Sequence, residues 1–433
     1  MAADSLWSSL SPAREALPTL DGDTVADVVV VGGGLSGLWT TYYLLEAEPA
    51  LDVVLLEAAT LGSGASGRGG GWCSAALPPP PAERPGTPED DDGSWQLRAA
   101  LRDAVVEVGG AAAAEQVACG FAYGGAVTVA RNPAQLARLE QETAALQAWG
   151  DDVRMLDAGQ VRELVRVEGA LGGAVSPDAA VLDPVRLVRG LLDVVQARGA
   201  RVHEGTRALR VSPGAVVTEQ GTVRAPQVVR AVGAWAPQLS GTREVAPLVS
   251  TFVATEPLPE FVWAQLGFAR HETVVDARRL HVRVRRSDDD RLVVGGPAIP
   301  DVGVLERTGD PVGRLHRTVT DMFPVLADVR LTHRWDAPLG LTRDRRPAVG
   351  ADDDGLAWIA GVRDDAALAN LAGRTVAALV TGADDPLVRL PWVNHHAGAW
   401  EPRPVRTAGL VASRLADAWA DRVDRWTART ARH

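Results

Sequence analysis

Three glycines and one glutamate carry the plainest chemistry in this chain. Gly32, Gly34 and Gly37 stand in G-x-G-x-x-G spacing directly after the apolar run 28–31, and Glu57 closes a second apolar run, 53–56. Strand, glycines, helix, strand and acid in that order predict a dinucleotide site. Gly32 admits the tight turn, Gly34 lets the backbone approach a pyrophosphate, and Gly37 lets the helix expected over 38–45 pack on the strand. The start of that helix faces the phosphate charge. Glu57 stands where it can accept hydrogen bonds from a ribose diol. The competing reading is a glycine-rich turn in an ordinary α/β sheet.

A second group of candidates lies in the alternating stretch 280–286. Leu280, Val282 and Val284 fall on one face, with His281, Arg283 and Arg285 on the other. Arg283 is the best carboxylate binder of the three; a solvated hairpin face is the simpler reading for His281 and Arg285. Trp235 and Trp335 suit either a ligand wall or a core. His395 and His396 are adjacent and face apart in extended chain, so no metal site is expected there.

These residues need a scaffold, and 433 residues suffice for two domains with sizeable cores. A net charge of -11 argues against a nucleic-acid partner by bulk electrostatics. Cys73 and Cys119 are the two cysteines; no disulfide framework is implied, and a reducing cytoplasm fits. No secretory leader or membrane span is expected. The chain has no lysine, which removes the usual Schiff-base, general-base and oxygen-activating amine.

Residues 1–23 read as an irregular arm, and the proline- and acid-rich 73–94 as a surface loop. Helices are expected over 95–108, 109–116, 132–149, 157–164 and 183–198, and strands over 120–130, 200–206, 208–212, 215–223 and 227–237. Residues 228–232 are buried, and Gly233 stops that strand at a turn, where open α/β sheets bind ligands. From 249 to 333 the reading is antiparallel, with a turn at 287–290 and a return strand 291–296; a helix covers 314–323. A strand at 355–361, a helix at 366–381, a loop at 390–402 and a helix at 405–429 complete the chain.

Several separate motifs then carry a resemblance. SLW near the start, VVVVGGGLSGLWTTYYL, GASGRGGGWCSA, LDPVRLVRGLLDVVQARGARVHEGT, VVRAVGAWAP, RLVVGG, HRWDAPLGLTRDRRPAVG, NLAGRTVAALVTG and RLPWVNHH with WEP follow in family order over nearly the full length. The chain resembles the flavin oxidoreductases related to D-amino-acid oxidase, glycine oxidase and sarcosine oxidase, in flavour the actinobacterial, γ-glutamylputrescine-oxidase-like branch. The resemblance implies FAD, an α/β architecture with a Rossmann-like nucleotide domain, and an inserted antiparallel-sheet substrate domain. It implies cofactor contacts at Gly32, Gly34, Leu35, Ser36, Gly37, Glu57 and Ala58. Further contacts are implied in the second glycine loop (Gly64, Ala65, Ser66, Arg68, Gly69, Gly70 and Gly71), and at Ala208, Gly233, Trp235, Gly340 and Gly361. Small residues in that loop let backbone amides close over a pyrophosphate and the flavin ring, and Arg68 can pair with a phosphate. Arg283, Arg363 and Asp344 are the candidates on the substrate side, Asp344 as a residue that caps or orients a loop. A thioether between Cys73 and flavin is conceivable, but a small buried residue is the simpler reading.

The segments divide as a nucleotide domain over 1–85, 166–248 and 335–385, a substrate domain over 86–165 and 249–334, and a C-terminal loop and helix over 386–433. Three positions depart from the family pattern. Gly69 replaces an amide side chain, and Asp336-Ala337 replaces two glycines. Gly361-Val362-Arg363-Asp364-Asp365 is a shortened turn in which Arg363 and Asp365 stand for glycines. A carboxylate there opposes negative charge on reduced flavin, whereas an aspartate is also a good helix N-cap; a second alignment puts Arg363 where glycine-oxidase-like members bind substrate carboxylate. The implied activity is oxidation of the C–N bond of a small amine or amino acid to an imine, with oxygen as the usual acceptor. The alternative is a degenerate member that binds FAD weakly or not at all and acts through a partner. An NAD(P)-linked dehydrogenase has no use for the second glycine loop. Oligomeric state is not readable.

Overall fold

The computed structural model describes residues 4–77, 93–240, 243–300 and 310–430. Most of the proline-rich loop expected over 73–94 lies outside the described residues.

Two large sheets organise the chain. The first has six strands in the order Ala348–Ala351, Leu356–Ala360, Gln227–Arg230, Val28–Val31, Val53–Leu56, Arg201–His203. Every pair is parallel except Ala348–Ala351 with Leu356–Ala360. Val28–Val31 and Val53–Leu56 are buried throughout, as strands covered on both faces must be. The helix Leu35–Ala47 lies against Ala366–Thr381, so closely that a Cβ on Gly373 would sit 2.6 Å from the Trp39 Cβ. Trp39, Leu38, Leu44, Val30, Leu55 and Leu371 belong to the core that joins these helices to the sheet.

The second sheet has nine strands. Its path runs Ile299–Pro300, Val245–Thr255, Leu292–Gly295, Arg283–Arg286, Thr273–Asp276, Ala126–Ala130, Gly172–Ser176, Arg154–Asp157, with Leu331–Thr342 paired to Val245–Thr255 off that path. The expected antiparallel character holds between most neighbours, but Thr273–Asp276 pairs in parallel with Ala126–Ala130. These two strands come from distant parts of the chain, so no hairpin constrains their direction. Alternation sorts the two faces. Val127, Val129, Val274 and Val284 face a core with Trp263, Phe268, Met322 and Phe323, whereas Ala126, Thr128, Thr273, Val275 and Arg283 line the opposite side.

Several expected boundaries move for visible reasons. The strand expected from 120 begins at Ala126, because Gly120 and Gly125 have positive φ. The strand expected from 280 begins at Arg283, because Asp421 of the C-terminal helix Arg403–Thr430 accepts the amides of Arg279 (2.9 Å) and Leu280 (3.1 Å). The two helices expected over 95–116 form one, Ser94–Ala114.

Candidate functional site: a dinucleotide cleft beside a sheet-face cavity

The first glycine loop is held by contacts that leave no room for side chains. A Cβ on Gly32 (φ +114) would meet the Ala231 carbonyl oxygen at 2.4 Å, and one on Gly37 would meet the Gly32 carbonyl oxygen at 2.0 Å. The helix starts at Leu35, earlier than expected, and its first amide donates to Ser66 Oγ at 2.8 Å. The second glycine loop therefore closes over the helix start through a serine. Glu57 braces the turn: Gly33 N–H donates to Oε2 (2.8 Å) and Ala59 N–H to Oε1 (2.9 Å). Two of roughly four lone-pair positions on that carboxylate are thereby used. Burial pushes the Glu57 carboxyl up, while the Ala59 and Gly33 amides pull it down.

A cleft of about 580 Å³ opens along this loop at the carboxyl ends of the parallel strands. Gly32, Gly34, Leu35, Ser36, Glu57 and Ala58 line it, with Gly64, Ala65 and Ser66 of the second loop. Ala208, Gly233, Trp235, Gly340, Gly361 and Arg363 complete the expected set. Thr206, Gln238, Leu239 and Pro338 line it too and were not foreseen; all are close in sequence to residues that were.

Five expected contacts stand elsewhere. Gly37 packs beneath the loop. Arg68, Gly69, Gly70 and Gly71 do not line the cleft. The Arg68 carbonyl accepts Trp335 Nε1 (2.8 Å) and the Gly69 carbonyl accepts Trp7 Nε1 (2.8 Å). A Cβ on Gly70 would strike the Trp72 ring at 2.2 Å, and one on Gly71 the Leu182 carbonyl at 2.1 Å. This half of the loop is tight because tryptophans and backbone crowd it. Trp335 is a core residue stacked on Phe252 at 5.5 Å. Cys73 is fully buried away from the cleft, and burial raises its thiol well above the ordinary value.

The altered segments resolve differently. Asp336-Ala337 lies within the continuous strand Leu331–Thr342, where Asp336 accepts Thr251 Oγ1 at 2.7 Å. Close approach to the cleft falls instead to Gly340, whose Cβ would lie 3.0 Å from the Gly233 carbonyl carbon. Asp365 is the N-cap of Ala366–Thr381. It accepts the amides of Ala367 (3.0 Å) and Leu368 (3.2 Å), the Ser74 amide (3.2 Å) and Ser74 Oγ (2.7 Å). Its charge is thus committed to the helix start and to Ser74. Arg363 adopts φ +58, a left-handed conformation that suits glycine.

Ser74 lines a second cavity of about 400 Å³. Its floor is the small-residue face of the nine-stranded sheet. Its roof is one side of the helix Pro133–Ala148, with Gln135, Arg138, Leu139, Glu142, Thr143 and Leu146 at helical spacing. The sequence announces that amphipathic helix but not what it covers. Because Asp365 lines the cleft and Ser74 the cavity, the two compartments adjoin at this hydrogen-bonded pair.

Arg283 and His281 stand on the cavity wall at the same junction. Among the described residues, the Arg283, Arg363 and Asp364 side chains have no hydrogen bond or ion pair. Burial lowers the Arg283 guanidinium, Asp364 and Asp365 raise it, and Arg363 lowers it further. The His281 side chain is exposed toward the cavity. The protein packed around it, with Arg283, Arg363 and Arg414 nearby, holds its pKa below the ordinary value, so it is neutral at ordinary pH. Arg285 is a core cation, 4.7 Å over the Trp7 ring, with Nη2 donating to the Leu182 carbonyl at 2.9 Å. Asp344 lines neither cavity. It is exposed, accepts the Arg346 amide at 3.0 Å and pairs with His395 at 2.5 Å, so it ties two loops together. Among the described residues, no group of three His, Cys, Asp or Glu is placed to hold a metal ion, and no helix is long and apolar enough to cross a membrane.

A strand-glycine-helix cleft fed by a second glycine loop, adjoining a cavity on a separate sheet, defines a flavin-dependent oxidoreductase. The family model described as "FAD dependent oxidoreductase" (DAO) matches residues 27–379. The chain belongs to that family, the FAD-dependent oxidoreductases of amines and amino acids. Gamma-glutamylputrescine oxidoreductase of Escherichia coli is 30% identical over 386 residues, covering 84% of this chain and 85% of the relative. Glycine oxidase from Geobacillus kaustophilus superposes with a TM-score of 0.70 at 22% identity, over 86% of this chain and 99% of that one. Iminodiacetate oxidase from Chelativorans gives 0.67 at 22% identity, over 84% and 99%. The backbone-lined cleft fits FAD, with helix-start amides for the pyrophosphate and a carboxylate at the ribose end. Nothing in the cleft or in these likenesses favours a degenerate, flavin-free member.

Proposed function

We propose that this protein oxidises the C–N bond of an amine that carries a carboxylate, and that Arg283 holds that carboxylate. The observation that carries the reading is the guanidinium of Arg283, which lacks a hydrogen bond or ion pair and stands on a cavity wall where the nucleotide cleft adjoins it. A desolvated cation without a partner is costly, and a planar carboxylate matches its paired donors.

In this reading the amides at the start of Leu35–Ala47 hold the FAD pyrophosphate, and Glu57 the adenosine ribose. Gly233, Gly340 and Gly361 let backbone pass close to the ring, with Trp235 as a wall. Bound FAD supplies a hydride acceptor for the carbon next to nitrogen. The chain's own residues orient the substrate: Arg283 fixes one end, and the floor of Thr128, Thr273 and Val275 shapes the space. His281, being neutral, adds no competing charge. Asp365 is tied to Ser74 and holds the helix start in place. Oxygen is the acceptor we favour; with no lysine, a guanidinium at the junction must attract the negative charge of reduced oxygen. The six-stranded sheet and its helices then form the nucleotide domain, and the nine-stranded sheet with its roof helix the substrate domain. We place the protein in the cytoplasm, which suits its two free, buried cysteines.

Anaerobic mixing of the purified yellow protein with carboxylate-bearing amines tests this. Bleaching of the visible flavin bands is expected, with Arg283→Leu raising KM about 10- to 100-fold, as loss of a charged hydrogen-bonding partner does. A protein bleached only by amines without an acid group refutes the role of Arg283.

A further inference from the structure

We infer that Ser5, Trp7 and Trp335 are positioning residues for FAD: from outside the cleft they hold the second glycine loop in the shape that receives the cofactor. Three consecutive carbonyls of that loop each accept one side-chain donor. Ser5 Oγ donates to Gly67 at 2.7 Å, Trp335 Nε1 to Arg68 at 2.8 Å and Trp7 Nε1 to Gly69 at 2.8 Å. The amides of the same three residues stay within the loop. Gly67 N–H donates to the Gly62 carbonyl (2.8 Å), and the Arg68 and Gly69 amides both donate to the Ala65 carbonyl (3.2 and 2.7 Å). Each residue of this run therefore uses its N–H inside the loop and offers its carbonyl to a partner from elsewhere. Gly67 and Gly69 are buried, where a carbonyl without a partner is costly. The other half of the loop reaches the cofactor. Gly64, Ala65 and Ser66 line the cleft, and Ser66 Oγ accepts the first amide of the helix Leu35–Ala47. Gly69 stands against the cleft wall, since a Cβ there would lie 2.9 Å from the Asp364 Cβ. Loss of an outer donor frees 67–69 and, through the shared Ala65 carbonyl, disturbs the residues that line the cleft.

The donors are themselves fixed in place. Trp7 meets Trp335 edge to face at 6.4 Å, and Trp335 stacks on Phe252 of the nine-stranded sheet. The buried Arg285 guanidinium lies 4.7 Å over the Trp7 ring and 6.0 Å from the Trp72 ring. Among the described residues it has no ion-pair partner, so two indole faces and the Leu182 carbonyl answer its charge. The same guanidinium abuts the loop's far end, where a Cβ on Gly71 would come 3.0 Å from Nη2. Arg285 also stands on the strand that carries Arg283. The glycine loop is thus gripped between an N-terminal segment upstream of the nucleotide fold and two strands of the other sheet. Ser5 and Trp7 touch neither cavity, and their effect on FAD passes through the loop alone.

Trp7→Phe removes the indole N–H and keeps a ring beneath Arg285. Trp263→Phe is the matched control. Trp263 is equally buried, has Arg286 at 4.7 Å over its ring and donates Nε1 to the Asp290 carbonyl at 3.3 Å, but it lines neither cavity. Release of FAD from each holoenzyme on dilution, followed by flavin fluorescence, gives the affinity; thermal unfolding of the apoproteins gives the stability. Trp7→Phe is expected to hold FAD about 5- to 100-fold more weakly, the range for a buried carbonyl left without its donor. Trp263→Phe is expected to keep wild-type affinity while losing similar apoprotein stability. Trp335→Phe preserves the ring on Phe252 and is expected to weaken FAD in the same range as Trp7→Phe. If Trp7→Phe does not fold, Trp335→Phe decides alone. Wild-type FAD affinity in either variant, or a weakening that Trp263→Phe matches, overturns the inference.

Discussion

Substitution of Gly37 by alanine is the sharpest test of the nucleotide loop. The added Cβ would lie 2.0 Å from the Gly32 carbonyl oxygen and 3.2 Å from its carbon. Carbon–oxygen contacts settle at about 3.3 Å or more, so a gap of roughly 1.3 Å has to open between strand and helix. The obstruction is backbone, which no side-chain rotation relieves. Retreat of the helix breaks the Leu35 amide's 2.8 Å bond to Ser66 Oγ and moves the helix-start amides off the pyrophosphate. Overpacking of this kind costs about 1–3 kcal/mol of stability. Loss of one hydrogen bond to a charged group costs about 1.5–3 kcal/mol, roughly 10- to 150-fold in FAD affinity. Titration of apoprotein with FAD, followed by quenching of flavin fluorescence, measures the affinity, and thermal unfolding of the same apoprotein measures the stability. A Gly37→Ala protein that purifies with full flavin and wild-type affinity refutes the packing argument.

Three further outcomes are expected. On the helix Ser94–Ala114, Gly109→Ala drives a Cβ to 2.6 Å from the Phe121 ring and should destabilise by about 1–3 kcal/mol. Its neighbour Gly110 has nothing within 4 Å, so Gly110→Ala should stabilise by about 0.5–1 kcal/mol; chemical denaturation of both checks the contrast. Glu57 is raised by burial above the ~4.3 of an unfolded glutamate. Such a group contributes stability below its unfolded pKa and loses it as pH rises through the folded value. The stability of wild-type apoprotein relative to Glu57→Gln should therefore fall as pH climbs from about 4 toward neutrality, read as urea midpoints; a relative gain refutes burial as the leading cause. Asp344→Asn should leave kcat/KM unchanged and cost no more than about 1 kcal/mol, because Asp344 and His395 form a partly exposed pair outside both cavities.

What the sequence showed best was local. The order of strand, glycines, helix and acid needs only neighbouring residues, and Gly32, Gly37 and Glu57 all take part in shaping the loop. The helix Ala366–Thr381 was expected with the same boundaries, its aspartate cap included. The long strands Val245–Thr255 and Leu331–Thr342 were not, because Pro247 and Pro338 sit inside them and proline ordinarily argues against a ladder. The second glycine loop was legible as a loop but not in its division of labour. A missing Cβ serves a phosphate and a tryptophan equally well, and only tertiary contacts show that Gly70 serves Trp72. The second cavity joins residues from 72–77, 126–153, 174–180 and 273–283, a juxtaposition that no local pattern encodes. Arg283 was picked out by strand alternation. Its lack of a partner became visible only once its surroundings were in place.

The Asp365–Ser74 pair has a thermodynamic consequence. One partner caps the helix that borders the nucleotide cleft, and the other lines the second cavity, the proposed substrate cavity. Any ligand that shifts this pair in one compartment changes the binding free energy in the other, and such coupling is reciprocal. The factor by which a bound carboxylate tightens the hold on FAD must equal the factor by which FAD tightens the hold on that carboxylate. Under the proposed function the Ser74 hydroxyl, three residues past the second glycine loop, is thus a place where cofactor retention and substrate affinity are set together.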